Sequence, residues 1–276
     1  MRLTIIFCLA IIQISSFGQR VNFEPTLGIA LKKAKAQHKP LFIEYYNSEC
    51  SVCHKLEPVF SNDTLARYYN EHFINYKLNT EKIKKEDSLF IANAGLHFED
   101  VPNFLFFDSN GNFVHYSGTK PEISYLINAA ITAMDPNERS SSLAQKYKSG
   151  DRSIKTLYAY SNLLKLYKNT SLRKTIADQL YEVYPKEDLG TQKSYIITKN
   201  CVDDIDNGFF KYWIAHIDEI KQFEKNPKTL HETNVLADIL QKAINENRKK
   251  WDAATIKQVK IWIIKTDLGK DPDAFF

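Results

Sequence analysis

Apolar positions along the chain change their period in a regular way. Leu27, Ala30, Leu31 and Ala34 fall at i, i+3, i+4 and i+7, which predicts an amphipathic helix over residues 24–37, with Pro25 near its start. His38-Lys39-Pro40 stops it. Leu41 to Tyr46 is then continuously apolar and aromatic except for one acid, Glu44, and predicts a buried strand. After the turn Asn47-Ser48-Glu49, a helix is expected over residues 51–69, interrupted by Pro58. A second strand follows over residues 73–78, then a short helix over 87–94 ended by Gly95. Val101-Pro102 leads into a strand over 103–107. Asp108-Ser109-Asn110-Gly111 turns the chain into a return strand over 112–116. Ile123, Leu126, Ile127 and Ala130 mark a closing helix over 122–133. The order is α-β-α-β-α-β-β-α. Two strands joined through a helix favour parallel pairing, and the last two favour a hairpin. An α/β fold follows: a mixed sheet with helices on both faces.

Asp135 to Ser142 is a polar break, and the strand signal ends there. Helical periodicity resumes over residues 154–167, 172–183, 209–223, 230–244 and 253–265. Loops at Tyr184-Pro185, 203–208 and Asn226-Pro227 separate these stretches. The expected organisation is a first domain over 20–135, a linker over 136–142, and an all-α domain over 143–276. No fixed-period repeat stands out among the helix pairs.

The first residues form a different kind of segment. Arg2 is followed by a run from Leu3 to Ile14 broken only by Thr4 and Gln13, with a small and polar exit at Ser15 to Gln19. This predicts a secretory signal peptide over residues 1–19, too short to span a bilayer as an ordinary helix. Cys8 lies inside that run and would leave with it. The expectation is an exported protein, in a periplasm or outside the cell, with no stable membrane anchor after cleavage.

Composition narrows the classes. Of 276 residues, 43% are hydrophobic and 25% charged, which excludes a wholly disordered chain. The net charge of +4 is spread along the sequence, and no nucleic-acid footprint forms. Export would leave three cysteines, Cys50, Cys53 and Cys201, so at least one has no intramolecular partner. Cys201 is read as a small apolar packing residue. Asp203 to Gly208 resembles a calcium loop, but Ile205 and Ile214 stand where oxygen ligands are needed, so it is read as a capped turn.

Cys50-Ser51-Val52-Cys53 stands where a strand runs into a helix. Unpaired N–H groups and the helix dipole at such a start favour a thiolate, the attacking species in disulfide exchange. The second cysteine, one turn on, can resolve a mixed disulfide without diffusion. Cys50 is therefore the expected nucleophile and Cys53 the resolving thiol. An inert staple is the alternative, disfavoured because the loop it would close is very short. Zinc is a weaker one, since no second ligand pair completes a site.

Residues 22–134 resemble the thioredoxin superfamily. Glu44 stands six residues before Cys50, where the family has a buried acid. Pro58 follows Cys53 by five residues, as does the proline that kinks the family's active-site helix. Val101-Pro102 matches the cis-proline loop, and Gly118 a family glycine. The resemblance implies that Glu44 takes and returns the proton of Cys53, and that Val101 and Pro102 bind the substrate peptide. It also implies no bound cofactor, protein or peptide disulfides as substrates, and a dithiol protein as electron donor. Two departures matter. Glu49 replaces the usual Trp, and Ser51-Val52 the usual Gly-Pro. A negative charge beside Cys50 disfavours the thiolate and points to a reducing pair, while a protonated His54 would oppose it. The expected function is thiol–disulfide oxidoreductase, a protein disulfide reductase in direction. The alternative is a thioredoxin-fold scaffold that binds a partner through its helical domain.

Overall fold

The computed structural model describes residues 20–224 and 234–276. The expected signal peptide, with Cys8, and the Asn226-Pro227 loop with the start of the 230–244 helix lie outside the described residues. Contacts divide the chain into two compact units. One holds the described residues through Ser88 together with Asp100–Asp135; the other holds Leu89–Glu99 and Pro136–Phe276. The sequence assigns residues 89–99 to the first domain, whereas here they group with the helical unit.

The first unit opens with a two-residue strand, β1 (Phe23–Glu24), which is too short to show an alternation in the sequence. Helix α1 (Leu27–Gln37) starts at Thr26, whose hydroxyl accepts from the Ile29 N–H at 3.3 Å, rather than at residue 24. Then come β2 (Leu41–Tyr46), α2 (Ser51–Phe60), α3 (Asp63–His72), β3 (Ile74–Asn79) and α4 (Lys85–Asn93), whose residues from Leu89 on group with the second unit. The strands β4 (Asn103–Phe107) and β5 (Phe113–Ser117) and helix α5 (Ile123–Met134) complete the fold. The helix expected over 51–69 is two helices. Asn62 caps α3, its side-chain oxygen accepting from Thr64 N at 3.1 Å and Leu65 N at 3.2 Å. Pro58 lies inside α2, which ends two residues later.

The sheet order is β1-β3-β2-β4-β5. β2 is central, parallel to β3 and antiparallel to β4, and β4 and β5 form the expected hairpin. Leu41 to Glu44 and the whole of β4 are buried, as a strand covered on both faces requires. One face packs Phe42, Phe104 and Phe106 against Leu56, Phe60, Leu65, Tyr69 and Leu126 of α2, α3 and α5. The Phe42 ring meets Tyr69 edge-on at 4.9 Å and Phe104 at 5.4 Å, contacts worth about 0.5–1.5 kcal/mol each beyond burial. Tyr69 donates its hydroxyl to Leu126 O at 2.9 Å and so ties α3 to α5.

The second unit, beyond its 89–99 segment, is helical: α6 (Leu143–Lys148), α7 (Ile154–Leu166), α8 (Thr170–Val183), α9 (Gln192–Cys201), α10 (Gly208–Ala215), α11 (Ile217–Glu224), α12 (Val235–Asn247) and α13 (Ala253–Lys265). The expected linker carries a 3-10 turn at Ser140–Ser142 that runs into α6. The 209–223 helix is broken at His216. Phe209, Phe210 and Trp213 are fully buried, so this aromatic stretch is core. No helix among the described residues is long and apolar enough to cross a membrane.

Candidate active site

Cys50 is the residue that caps α2. Its Sγ accepts the Cys53 N–H at 3.2 Å, and its carbonyl accepts from His54 N at 3.2 Å. The sulfur thus occupies the place where the helix start offers an unpaired donor and the positive end of its dipole. Cys50 is half-buried, while Cys53, one turn into the helix, is 4% exposed. The two are joined as a disulfide, with Cα atoms 5.2 Å apart. Attack from outside can reach one sulfur and not the other. Glu49, Ser51, Val52 and His54 around the pair are exposed.

The loop before β4 comes to the same place. The Val101 carbonyl oxygen lies 3.8 Å from Cys50 Sγ, and the Val101–Pro102 peptide bond is cis. Val101 is half-buried and Pro102 buried. Gly118 follows β5 without positive φ, and a Cβ there would meet only Tyr125 Oη at 3.8 Å, so the fold places no steric demand for glycine at that point.

Glu44 sits on β2 two residues after Phe42, so it shares the face covered by α2. It is 1% exposed. Parallel register sets Glu44 opposite Lys77 of β3, on the same face, and Lys77 Nζ approaches Glu44 Oε2 at 3.1 Å. The approach is a charge contact rather than an aligned hydrogen bond, because Oε2 is left without a donor. Burial raises the Glu44 pKa to about 7, with Lys77 opposing the rise and the charge of Glu57 adding to it. Lys77 also pairs with Glu57 of α2, and its Nζ lies over the rings of Phe23 at 4.8 Å, Phe60 at 5.1 Å and Tyr46 at 5.6 Å. Sequence reasoning missed Lys77 and Glu57. Neither carries a motif, and Lys77 becomes visible only once strand register is known.

Cys201 lies elsewhere, in the helical unit. It is unpaired and 1% exposed, and burial pushes its thiol up to about 11, which suits packing rather than reactivity. In the nearby acidic turn, Asp203 pairs with Arg173 and Lys242, and Asn207 caps α10.

The fold and the helix-start cysteine pair define a thioredoxin-like domain. Residues 27–127 match the family model of the thioredoxin-like domain, which supports the thioredoxin superfamily for this part of the chain. A Caenorhabditis elegans protein known as uncharacterized protein B0495.5 is 34% identical over 64 residues, 23% of this chain. The match spans only 9% of that relative's length. Among solved structures, a Bacteroides thetaiotaomicron protein proposed to be a disulphide-isomerase is similar at 28% identity, over 41% of this chain and 93% of that one, with a TM-score of 0.35. A DsbH oxidoreductase is similar at 16% identity, over 46% of this chain and 94% of its own, with a TM-score of 0.36. Thioredoxin f from spinach chloroplast is similar at 21% identity, over 42% and 93% of the two chains, with a TM-score of 0.30.

Proposed function

We propose that this protein is an exported thiol–disulfide oxidoreductase that reduces disulfides in protein or peptide substrates through Cys50 and Cys53. The observation that carries the proposal is the asymmetry of the pair: a reachable sulfur at a helix start, bonded to a buried one a turn later. In the reduced protein, the Cys50 thiolate attacks one sulfur of a substrate disulfide. A mixed disulfide forms, and the other substrate sulfur leaves as a thiolate. Cys53, deprotonated by Glu44, then attacks Cys50 Sγ. The second substrate sulfur leaves, two electrons have passed to the substrate, and the Cys50–Cys53 disulfide closes. A carboxyl group with a pKa near 7 is suited to exchange a proton with a thiol near neutral pH.

Val101 and Pro102 frame the approach to Cys50, and the substrate backbone would pair beside them. Exposed Val52, between the two cysteines in sequence, offers an apolar contact near them. Another dithiol protein would return the electrons, with no bound cofactor. Export, to a periplasm or beyond the cell, rests on the sequence of residues 1–19.

The test is insulin reduction by the full chain in the presence of a dithiol reductant. Cys50→Ser is expected to abolish turnover while leaving the far-ultraviolet circular dichroism unchanged. Cys53→Ser is expected to accumulate a mixed disulfide on Cys50. A Cys50→Ser variant as active as the wild type would refute the proposal and favour a scaffold that acts through its helical unit.

A further inference from the structure

Glu44, Lys77 and Glu57 form one chain of charges running from the core to solvent. Their side-chain exposures are 1%, 19% and 51%. Each comes from a different element: Glu44 from β2, Lys77 from β3 and Glu57 from α2, one turn beyond Cys53. Lys77 is in contact with both carboxylates, and the rings of Phe23, Phe60 and Tyr46 surround its ammonium group. With both acids ionised, two negative charges share a single positive one, and the buried acid bears the cost.

We propose that Glu57 is a positioning residue for the dithiol reaction: by drawing Lys77 toward solvent, it keeps Glu44 a strong enough base to take the proton of Cys53. The inference rests on the oxidoreductase reading and adds to it a residue that touches neither sulfur nor substrate. Its physical content is a competition. Lys77 has three donors on one nitrogen, and those directed at Glu57 are withheld from Glu44. The negative charge of Glu57 acts on Glu44 in the same direction, since a like charge favours the protonated carboxyl. Removing Glu57 therefore lowers the proton affinity of Glu44 in two ways that reinforce each other. Lys77 from β3 and Glu57 from α2 are the charged groups acting on Glu44, α2 also carries the buried Cys53, and the partner across β4 is the uncharged Phe104.

The experiment compares the full-length wild type with Glu57→Gln and Glu57→Ala. Glu57 is half-exposed, so neither change opens the core. In oxidised protein labelled with carbon-13 at glutamate carboxyls, the Glu44 signal is assigned by its loss in Glu44→Gln and followed against pH. Both Glu57 variants are expected to titrate Glu44 at lower pH than the wild type. In the reductase assay at pH 6, each should retain roughly twofold or more of the wild type's fraction of its own plateau rate. Lys77→Met should move the Glu44 titration the opposite way. Coincident Glu44 titrations in wild type and Glu57 variants would overturn the inference while leaving the oxidoreductase reading intact. A wild type with no reductase activity at any pH would overturn that reading, and the positioning role given to Glu57 with it.

Discussion

At the scale of single residues, the molecule places a carboxyl group where it is costly. Glu44 is buried and its pKa is raised to about 7. Between the ordinary carboxylate range and that value the folded protein holds a proton that the unfolded chain has released. Stability therefore falls as pH rises through this window, and the penalty is complete above it. In the oxidised protein Glu44→Gln removes the effect. The wild type should lose on the order of 3 kcal/mol relative to Glu44→Gln between pH 4 and pH 8, measured by urea unfolding. Parallel pH dependences would mean that Glu44 is solvated. A buried acid retained at this cost is a functional candidate, and Glu44 was legible as one because a single acid interrupts an otherwise apolar strand. Lys77 and Glu57 were not legible. One is a lysine on a strand of mixed pattern, the other a glutamate on an exposed helix face, and only register and packing bring them together.

At the scale of elements, strands and helices with strong local signals stand where the pattern put them. β2 and β4 are apolar runs between turn residues, and α13 has clear periodicity and an Asp252 cap whose carboxylate accepts from Thr255 N at 2.8 Å. The misreadings have local causes. α2 and α3 read as one helix because both present apolar residues to the same core, and the break depends on a cap. Asn62→Ala should cost about 1 kcal/mol, seen in chemical denaturation, without changing the reactivity of Cys50. An unchanged midpoint would mean that the sheet alone holds α3 in place. α9 escaped notice because it buries polar residues. Ser194 and Thr198 are fully buried, Trp213 Nε1 donates to Ser194 Oγ at 3.2 Å, and Thr198 Oγ1 donates to Ser194 O at 2.9 Å. Hydrophobic periodicity is weakened where hydrogen-bonded Ser194 and Thr198 share the buried face with Tyr195, Ile197 and Cys201.

At the scale of the whole molecule, the chain leaves the first unit after Ser88, returns at Asp100 and leaves again after Asp135. A boundary drawn only at the polar break misses the earlier excursion, because residues 89–99 look like any short helix and loop. Within the helical unit, that segment is held by the Leu166 carbonyl, which accepts from His97 N at 2.9 Å, and by Lys165, 3.2 Å from Glu99. Leu96 in the same segment is 2% exposed. Deleting residues 143–276 should therefore make 89–99 a preferred site of proteolytic cleavage, read by mass spectrometry of limited digests. Resistance equal to that of the full chain would show that the segment holds its conformation without the helices.

Whether the Cys50–Cys53 pair is a working redox couple is decided by equilibrating the chain from residue 20 onward with glutathione buffers and measuring the fraction oxidised. With Glu49 beside the nucleophile, a reversible two-electron transition is expected on the reducing side, below about −200 mV. A transition near −120 mV would assign an oxidant instead. A pair that never cycles would contradict the claim and leave the thioredoxin-like domain as a scaffold.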